Sequence, residues 1–263
     1  MIAVGERING MFKDVKKAIR NKDKAILQDL AIRQTKEGAK YLDINTGVAV
    51  TPEEQPEVMK WMVHAVQEVC DTPLALDSQK IPVLEAGLSA VRRPAMINSC
   101  KCDEAYLDQF LPLAVQHGAS LVVLTMTDKG PLQDVDGRIE AIGQICGKAL
   151  EHGLEFDRIF IDPVIFPVNV DQKQPGYLMQ VFQQIKVISD PPPHTIVGLS
   201  NVSQGTQERP LINRTMLVMS IAAGLDAAIM DVLDTDLMDA ALCAEMLLNK
   251  QIYSESFLRA GRM

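Results

Sequence analysis

Short apolar runs alternate with longer amphipathic stretches from one end of this chain to the other, and that alternation constrains the fold most. Eight runs stand out: IAVGERI (2–8), AKYLDIN (39–45), PLALD (73–77), PAMIN (94–98), SLVVLTM (120–126), RIFID (158–162), TIVGLSN (195–201) and DAAIMD (226–231). Each has the length and apolar content of a strand buried on both faces. Between them the spacing turns helical; in AILQDLAIRQTKEG (25–38), Leu27, Leu30, Ala31 and Gln34 recur on one face. Gly38, Gly118, Gly153 and Gly224 each stand just ahead of a strand. A left-handed glycine there closes a helix and turns the chain into the next strand. The unit repeats about every 33 residues (263 divided by eight), near the ~30 of a βα unit.

Eight βα units in about 250 residues make a (β/α)₈ barrel. The alternative is a doubly wound sheet, whose first βα turn usually carries a G-x-G-x-x-G phosphate loop. Here that turn reads GERINGMF, and its two glycines lack the spacing. No linker or low-complexity stretch interrupts the pattern. The expected architecture is α/β, a single TIM-barrel domain over residues 1–263.

Acids outnumber bases by 34 to 26 and no long basic run occurs, so nucleic acid is not an expected partner, because phosphates need clustered Lys and Arg. The start, MIAVGERING, lacks a basic segment followed by an apolar core, so no export signal is visible. Apolar stretches such as Leu121 to Leu124 fall far short of the ~20 residues of a membrane helix. Five cysteines, an odd number, point to a reducing cytoplasm without a disulfide framework.

A barrel builds its site at the C-terminal ends of its strands. In order, those ends are Glu6 and Asn9, Asp43 and Asn45, Asp77, Asn98, Thr125, Asp162, Ser200 and Asn201, and Asp231. Nearly every strand ends in a carboxylate or a carboxamide. For a single residue such as Asp231 or Asn9, a turn or capping role suffices. For the set it does not, since several follow directly on the last apolar residue. Asp162 precedes Pro163, which favours extended backbone at the acid.

Absences narrow the chemistry. His64, His117, His152 and His194 fall on helices or ahead of strands, so no imidazole cluster for a metal is expected at the mouth. No strand ends in lysine, which argues against Schiff-base chemistry. Cys100 and Cys102 have no second thiol or imidazole pair and read as ordinary thiols. Asp231, Asp234 and Asp236 in the eighth loop would repel phosphate. An acidic, amide-rich mouth suits a flat heterocycle rich in N–H donors and carbonyl acceptors. An amino group beside a ring N–H presents two parallel donors to one carboxylate, and a pterin has that edge.

GERING (5–10), LDIN (42–45), LDS (76–78), MINS (96–99), IDP (161–163), and GLSNVSQ (198–204) followed by RPLINRT (209–215) resemble the pterin-binding barrel family nearly end to end. Within it, the chain is most similar to the methyltetrahydrofolate:corrinoid (iron–sulfur) protein methyltransferases. The GLSNVSQ and RPLINRT blocks are the specific ones; LDS or IDP alone would be weak.

The resemblance implies that Asp77, Asn98 and Asp162 hydrogen-bond the pterin and that Asn201 approaches N5. It also implies that Gly198, Ser200, Gln204 and Arg209 line the pocket. Glu6, Asp43 and Asn45 stand as further candidates on the strand-end reading. Tetrahydrofolate or 5-methyltetrahydrofolate would be the substrate, with no tightly bound cofactor and no metal. The cobalamin would ride on a separate corrinoid protein docked over the mouth of a homodimer.

Asn201 and Asp162 are the expected catalytic pair. The Asn201 amide would follow the charge change at N5, and water held near Asp162 would supply the proton. Both directions use the same residues, so the direction is open. Dihydropteroate synthase shares the fold, but its expected lysine in the strand-seven loop and arginine–histidine pair near strand eight have no counterpart in SNVSQ and IMDVLD. A non-catalytic folate-binding subunit is the remaining alternative.

Overall fold

Each apolar run becomes a barrel strand. In the computed structural model, which describes residues 1–261, these are β1 (Ile2–Asn9), β2 (Tyr41–Asn45), β3 (Leu74–Asp77), β4 (Met96–Lys101), β5 (Ser120–Leu124), β6 (Ile159–Asp162), β7 (His194–Gly198) and β8 (Ala227–Met230). All neighbouring pairs are parallel and sequential, and β8 pairs with β1 to close the barrel. Closure leaves no free edge, so every strand can be apolar on both faces.

The two faces feed two cores. The larger lies between the strands and the surrounding helices. The smaller fills the lumen with Val4, Ala75, Met96, Val122, Phe160, Ile196 and Ala227, with Tyr41 packed against them. That is one side chain from each strand. Because strand side chains alternate, the residue two positions further on faces the lumen again, one layer nearer the C-terminal mouth. Those residues are Glu6, Asp43, Asp77, Asn98, Leu124, Asp162, Gly198 and Ile229. The polar strand ends are thus the continuation of an apolar plug, and they point inward.

The helices that matter for the site are α1 (Lys13–Asn21), α2 (Lys24–Lys36), α3 (Gln55–Gln67), α4 (Ile81–Leu88), α5 (Glu104–His117), α6 (Val135–His152), α7 (Gln174–Ile185), α8 (Arg209–Ala223) and α9 (Thr235–Leu247). The buried face of α2 is Leu27, Leu30, Ala31 and Gln34, as the spacing predicts. Gly118, Gly153 and Gly224 are the left-handed C-caps of α5, α6 and α8. Gly38 also has positive φ but lies one residue past the cap, Glu37.

Three strands differ from the sequence reading by two residues or more at the C-terminal end. β7 stops at Gly198, and Leu199–Ser203 forms a 3₁₀ turn. β5 stops at Leu124, and Met126–Thr127 pairs antiparallel with Gly130–Pro131 as a small hairpin over the mouth loop. β4 runs on to Lys101, so one strand does end in a lysine, contrary to the sequence expectation; its ammonium is engaged by the Asp128 carboxylate. Two register shifts interrupt the ladder, between Gly5 and Ile8 on β1 and between Asn98 and Cys100 on β4. Bulges at a barrel rim re-aim side chains, and here they fall at Glu6 and Arg7 and at Ser99, directly after Asn98.

Candidate active site

Each lumen acid at the mouth is held by a neutral donor. Asn98 Nδ2 donates to Asp43 Oδ1 at 2.9 Å, and Asn45 Nδ2 donates to Asp77 Oδ2. Ser200 Oγ donates to Glu6 Oε1 and Oε2 at 2.8 and 3.1 Å. The Val164 N–H donates to Asp162 Oδ1 at 2.7 Å. Among the described residues, no lysine or arginine bonds any of these four carboxyls.

Burial without a cation raises all four, because the charged form loses water. Burial pushes Glu6 to about 7, aided by Asp231 and opposed by the Ser200 hydroxyl, Arg209 and Arg7. Burial lifts Asp162 to about 7 against hydrogen bonds from the Val164 and Gly198 backbone and the pull of Arg138. Asp77 rises to about 6 through burial, against the Asn45 hydrogen bond. Asp43 stands well above the carboxylate range, through burial and the nearby Asp77. Such acids gain most from a ligand that brings its own N–H donors.

The turn after β7 places the amide expected at N5. A methyl group on Gly198 would lie 2.9 Å from Asn201 Nδ2, so the bare glycine lets that amide fold over the strand end. Arg209, at the start of α8, ties the turn down. Its Nε donates to Ser203 Oγ at 3.0 Å and its Nη2 to the Ser200 carbonyl at 3.1 Å. Gln204 is exposed past the turn, its backbone N–H donating to the Asn201 carbonyl at 3.2 Å.

The structure therefore gathers Glu6, Asp43, Asn45, Asp77, Asn98, Asp162, Gly198, Ser200, Asn201 and Arg209 at one mouth, with Gln204 at its edge. Asn9 and Asp231 make local turns instead, accepting from the Met11 and Leu233 N–H groups at 2.9 and 3.0 Å. A solvent-open cleft of about 470 Å³ covers the β7–β8–β1 side, lined among others by Glu6, Phe12, Ser200, Arg209 and Asp231. Asp77, Asn98 and Asp162 lie beyond its walls, on the β3–β6 side.

One participant had no strand-end signal. Arg138, in the first turns of α6, is fully buried; its Nη2 donates to Gln174 Oε1 at 2.7 Å, and its charge faces Asp162. Only the packing of α6 against α7 and the β6 loop brings it there, so pattern reading could not find it. Among the described residues, no three His, Cys, Asp or Glu side chains converge as a metal site, and no helix is long and apolar enough to cross a membrane.

A barrel with this mouth has close relatives by sequence. The family model described as "Pterin binding enzyme" matches residues 9–231. The chain belongs to the pterin binding enzyme family. It is 33% identical over 264 residues to a methylcorrinoid:tetrahydrofolate methyltransferase of Eubacterium limosum, covering 100% of this chain and 96% of that protein. It is 28% identical to the methionine synthase of Mycobacterium leprae over 87% of this chain but only 20% of that much longer protein. Among solved structures, a Yersinia pestis DHPS with a pterine-sulfa conjugate superposes with a TM-score of 0.68 at 16% identity, covering 94% of each chain. A dihydropteroate synthase from Xanthomonas albilineans does so at 0.67 and 17%, covering 95% of this chain and 92% of that one. At those identities the structural likeness concerns the pterin binding enzyme fold alone.

Proposed function

We propose that this pterin binding enzyme is a methyltransferase that moves a methyl group from a methylcorrinoid to N5 of tetrahydrofolate. The observation that carries this reading is the mouth itself, four desolvated carboxyls held by amides, a hydroxyl and backbone N–H groups, with no cation among the described residues hydrogen-bonded to them. It suits a ring edge of paired N–H donors. The full-length likeness to a protein named for this reaction supports the donor and the direction.

In this reading Asp77, Asn98 and Asp162 receive and orient the pterin, with Asp43 and Asn45 locking Asn98 and Asp77 in place. Asn201, over Gly198, reaches N5 and can exchange a donated for an accepted hydrogen bond as the charge there changes. Ser200, Gln204 and Arg209 shape the β7 side of the pocket. The reacting nitrogen and methyl carbon must be held in line, and a rigid barrel mouth supplies that positioning.

The methyl donor would be carried by a separate corrinoid protein seated over the open mouth, the cobalamin being its cargo and no tightly held cofactor of this chain. A homodimer is part of the same proposal. Val218 and Met219 on α8, and Leu247 and Leu248 at the end of α9, remain exposed on the outer wall, where a second copy could cover them. Calorimetric titration with tetrahydrofolate tests the first step: micromolar binding that is weakened in Asp77→Ala and Asp162→Ala supports the reading, and no binding overturns it.

A further inference from the structure

Methyl transfer to N5 leaves a proton to be moved, and the residues expected at N5 cannot all move it. When N5 of tetrahydrofolate attacks the methyl carbon, the cobalt–carbon electron pair stays on the metal, which goes from cobalt(III) to cobalt(I). N5 gains a C–N bond and must shed its hydrogen as a proton. The reverse transfer needs that proton back. The group that exchanges it must lie on the β7 side of the mouth, titrate near neutrality and reach bulk water.

Asn201 does not titrate. Asp43 and Asp77 sit across the mouth on β2 and β3, engaged with Asn98 and Asn45. Asp162 is beside β7, but it is only 8% exposed and takes the Val164 and Gly198 backbone N–H groups. His64, His117 and His152 lie on helices, and His194 begins β7 at the far end of the barrel. Asp231 is committed to the Leu233 N–H.

Glu6 meets all three needs. The bulge after Gly5 falls at this residue, and both carboxyl oxygens take the Ser200 hydroxyl. Ser200 directly precedes Asn201 in the same 3₁₀ turn. On its other side Glu6 lines the open cleft of about 470 Å³ with Arg209 and Asp231.

We infer that Glu6 is the proton carrier for N5, with the Ser200 hydroxyl as relay, so that the cleft between β7, β8 and β1 is the route to solvent. This rests on the methyltransferase reading above. In the direction of folate methylation, Ser200 Oγ takes the proton from N5 and passes its own to the Glu6 carboxylate, which returns it to water in the cleft. The charged groups facing Glu6 are Asp231 directly after β8, Arg209 from α8, Arg7 from its own strand and Asp43 from β2. Burial prevails among them and places Glu6 at about 7.

The test is single-turnover transfer from free methylcob(III)alamin to tetrahydrofolate, read between pH 5.5 and 8.5. Wild-type rates should rise with pH through a midpoint near 7. E6Q keeps a partner for Ser200 and so should fold, checked by circular dichroism. Its rate should fall by about 10²-fold at pH 8 and lose the pH dependence, with tetrahydrofolate affinity within about threefold. E6D should recover part of the rate. S200A, which removes a hydrogen bond to the carboxylate, should move the midpoint upward. A folded E6Q with the wild-type rate and profile overturns the route alone. So does a rate loss matched by an equal loss of folate affinity. A wild type that binds no tetrahydrofolate and moves no methyl overturns the functional reading, and this route falls with it.

Discussion

Asn201 and Asp77 are expected at the pterin, yet polar residues at strand ends also serve turns and helix caps. Each could have been a turn or cap residue. For Asp77 the structure rules out the cap: α4 begins after Lys80 and has no side-chain cap bond, while Asp77 takes the Asn45 amide inside the mouth. Asp77→Ala should therefore weaken tetrahydrofolate binding by roughly 1–3 kcal/mol, since ring donors go unpaired. Calorimetry beside thermal melting checks it; unchanged affinity with a lowered melting point would return Asp77 to a structural role. Asn201 lies over Gly198 with its side chain exposed to the mouth, where it can strengthen its hold on N5 as bonds change. Asn201→Ala should cost about 2–4 kcal/mol in the transfer step, by analogy with loss of one preorganised donor, and less in folate binding. A wild-type single-turnover rate in the folded variant would remove it from the mechanism. Inward orientation follows from the period-two step beyond Val4, Ala75, Met96 and Phe160 only once the structure shows that these fill the lumen. The bonding partners were not: Ser200 meets Glu6 across 194 positions of chain, and no local pattern records so distant a pair.

The strands and helices were legible because each element's burial follows its own periodicity, as Leu27, Leu30, Ala31 and Gln34 on α2 illustrate. The element ends were less so. TIVGLSN looks like one continuous strand, yet the chain turns after Gly198 because Arg209, six and nine residues ahead, grips Ser203 and the Ser200 carbonyl. Asp128, Lys129 and Gly130, with Gly130 at φ 114°, do mark the small hairpin beyond β5 as a turn signal. At the start of α9, Asp234 accepts from the Leu237 N–H at 3.1 Å. Asp234→Ala should remove that cap at a cost of about 1 kcal/mol in stability. A chemical denaturation midpoint should drop while folate affinity changes little, although Asp234 lies on the edge of the cleft. No loss of stability would mean that the helix end is held by packing alone.

Taken as one titrating body, the barrel has an uneven charge economy. Glu6 and Asp162 at about 7, Asp77 at about 6 and Asp43 above its usual range hold protons in the folded state that the unfolded chain releases near pH 4. More protons are bound folded than unfolded in that window, so stability falls as pH rises from about 4 to about 7. Asp226, at the opposite end of the barrel, works the other way. Partial burial pushes it up, but His194, Lys186 and the Thr195 N–H outweigh that and hold it well below the carboxylate range. Its contribution is present above about pH 4 and is lost as pH falls further. The ligand-free protein should therefore melt at a higher temperature at pH 5.5 than at pH 8, and Asp77→Asn with Asp162→Asn should flatten that slope. A wild-type melting temperature that climbs steadily to pH 8 would mean that the mouth acids are already ionised. The central claim is that this mouth positions N5 of tetrahydrofolate for a methyl group carried by a corrinoid. Mixing the protein with tetrahydrofolate and a methylated corrinoid protein, and quantifying folate products, tests it most directly. One 5-methyltetrahydrofolate should form for each cobalt(I) that appears. Tight folate binding with no methyl moved, or a dihydropteroate synthase reaction in its place, would contradict it.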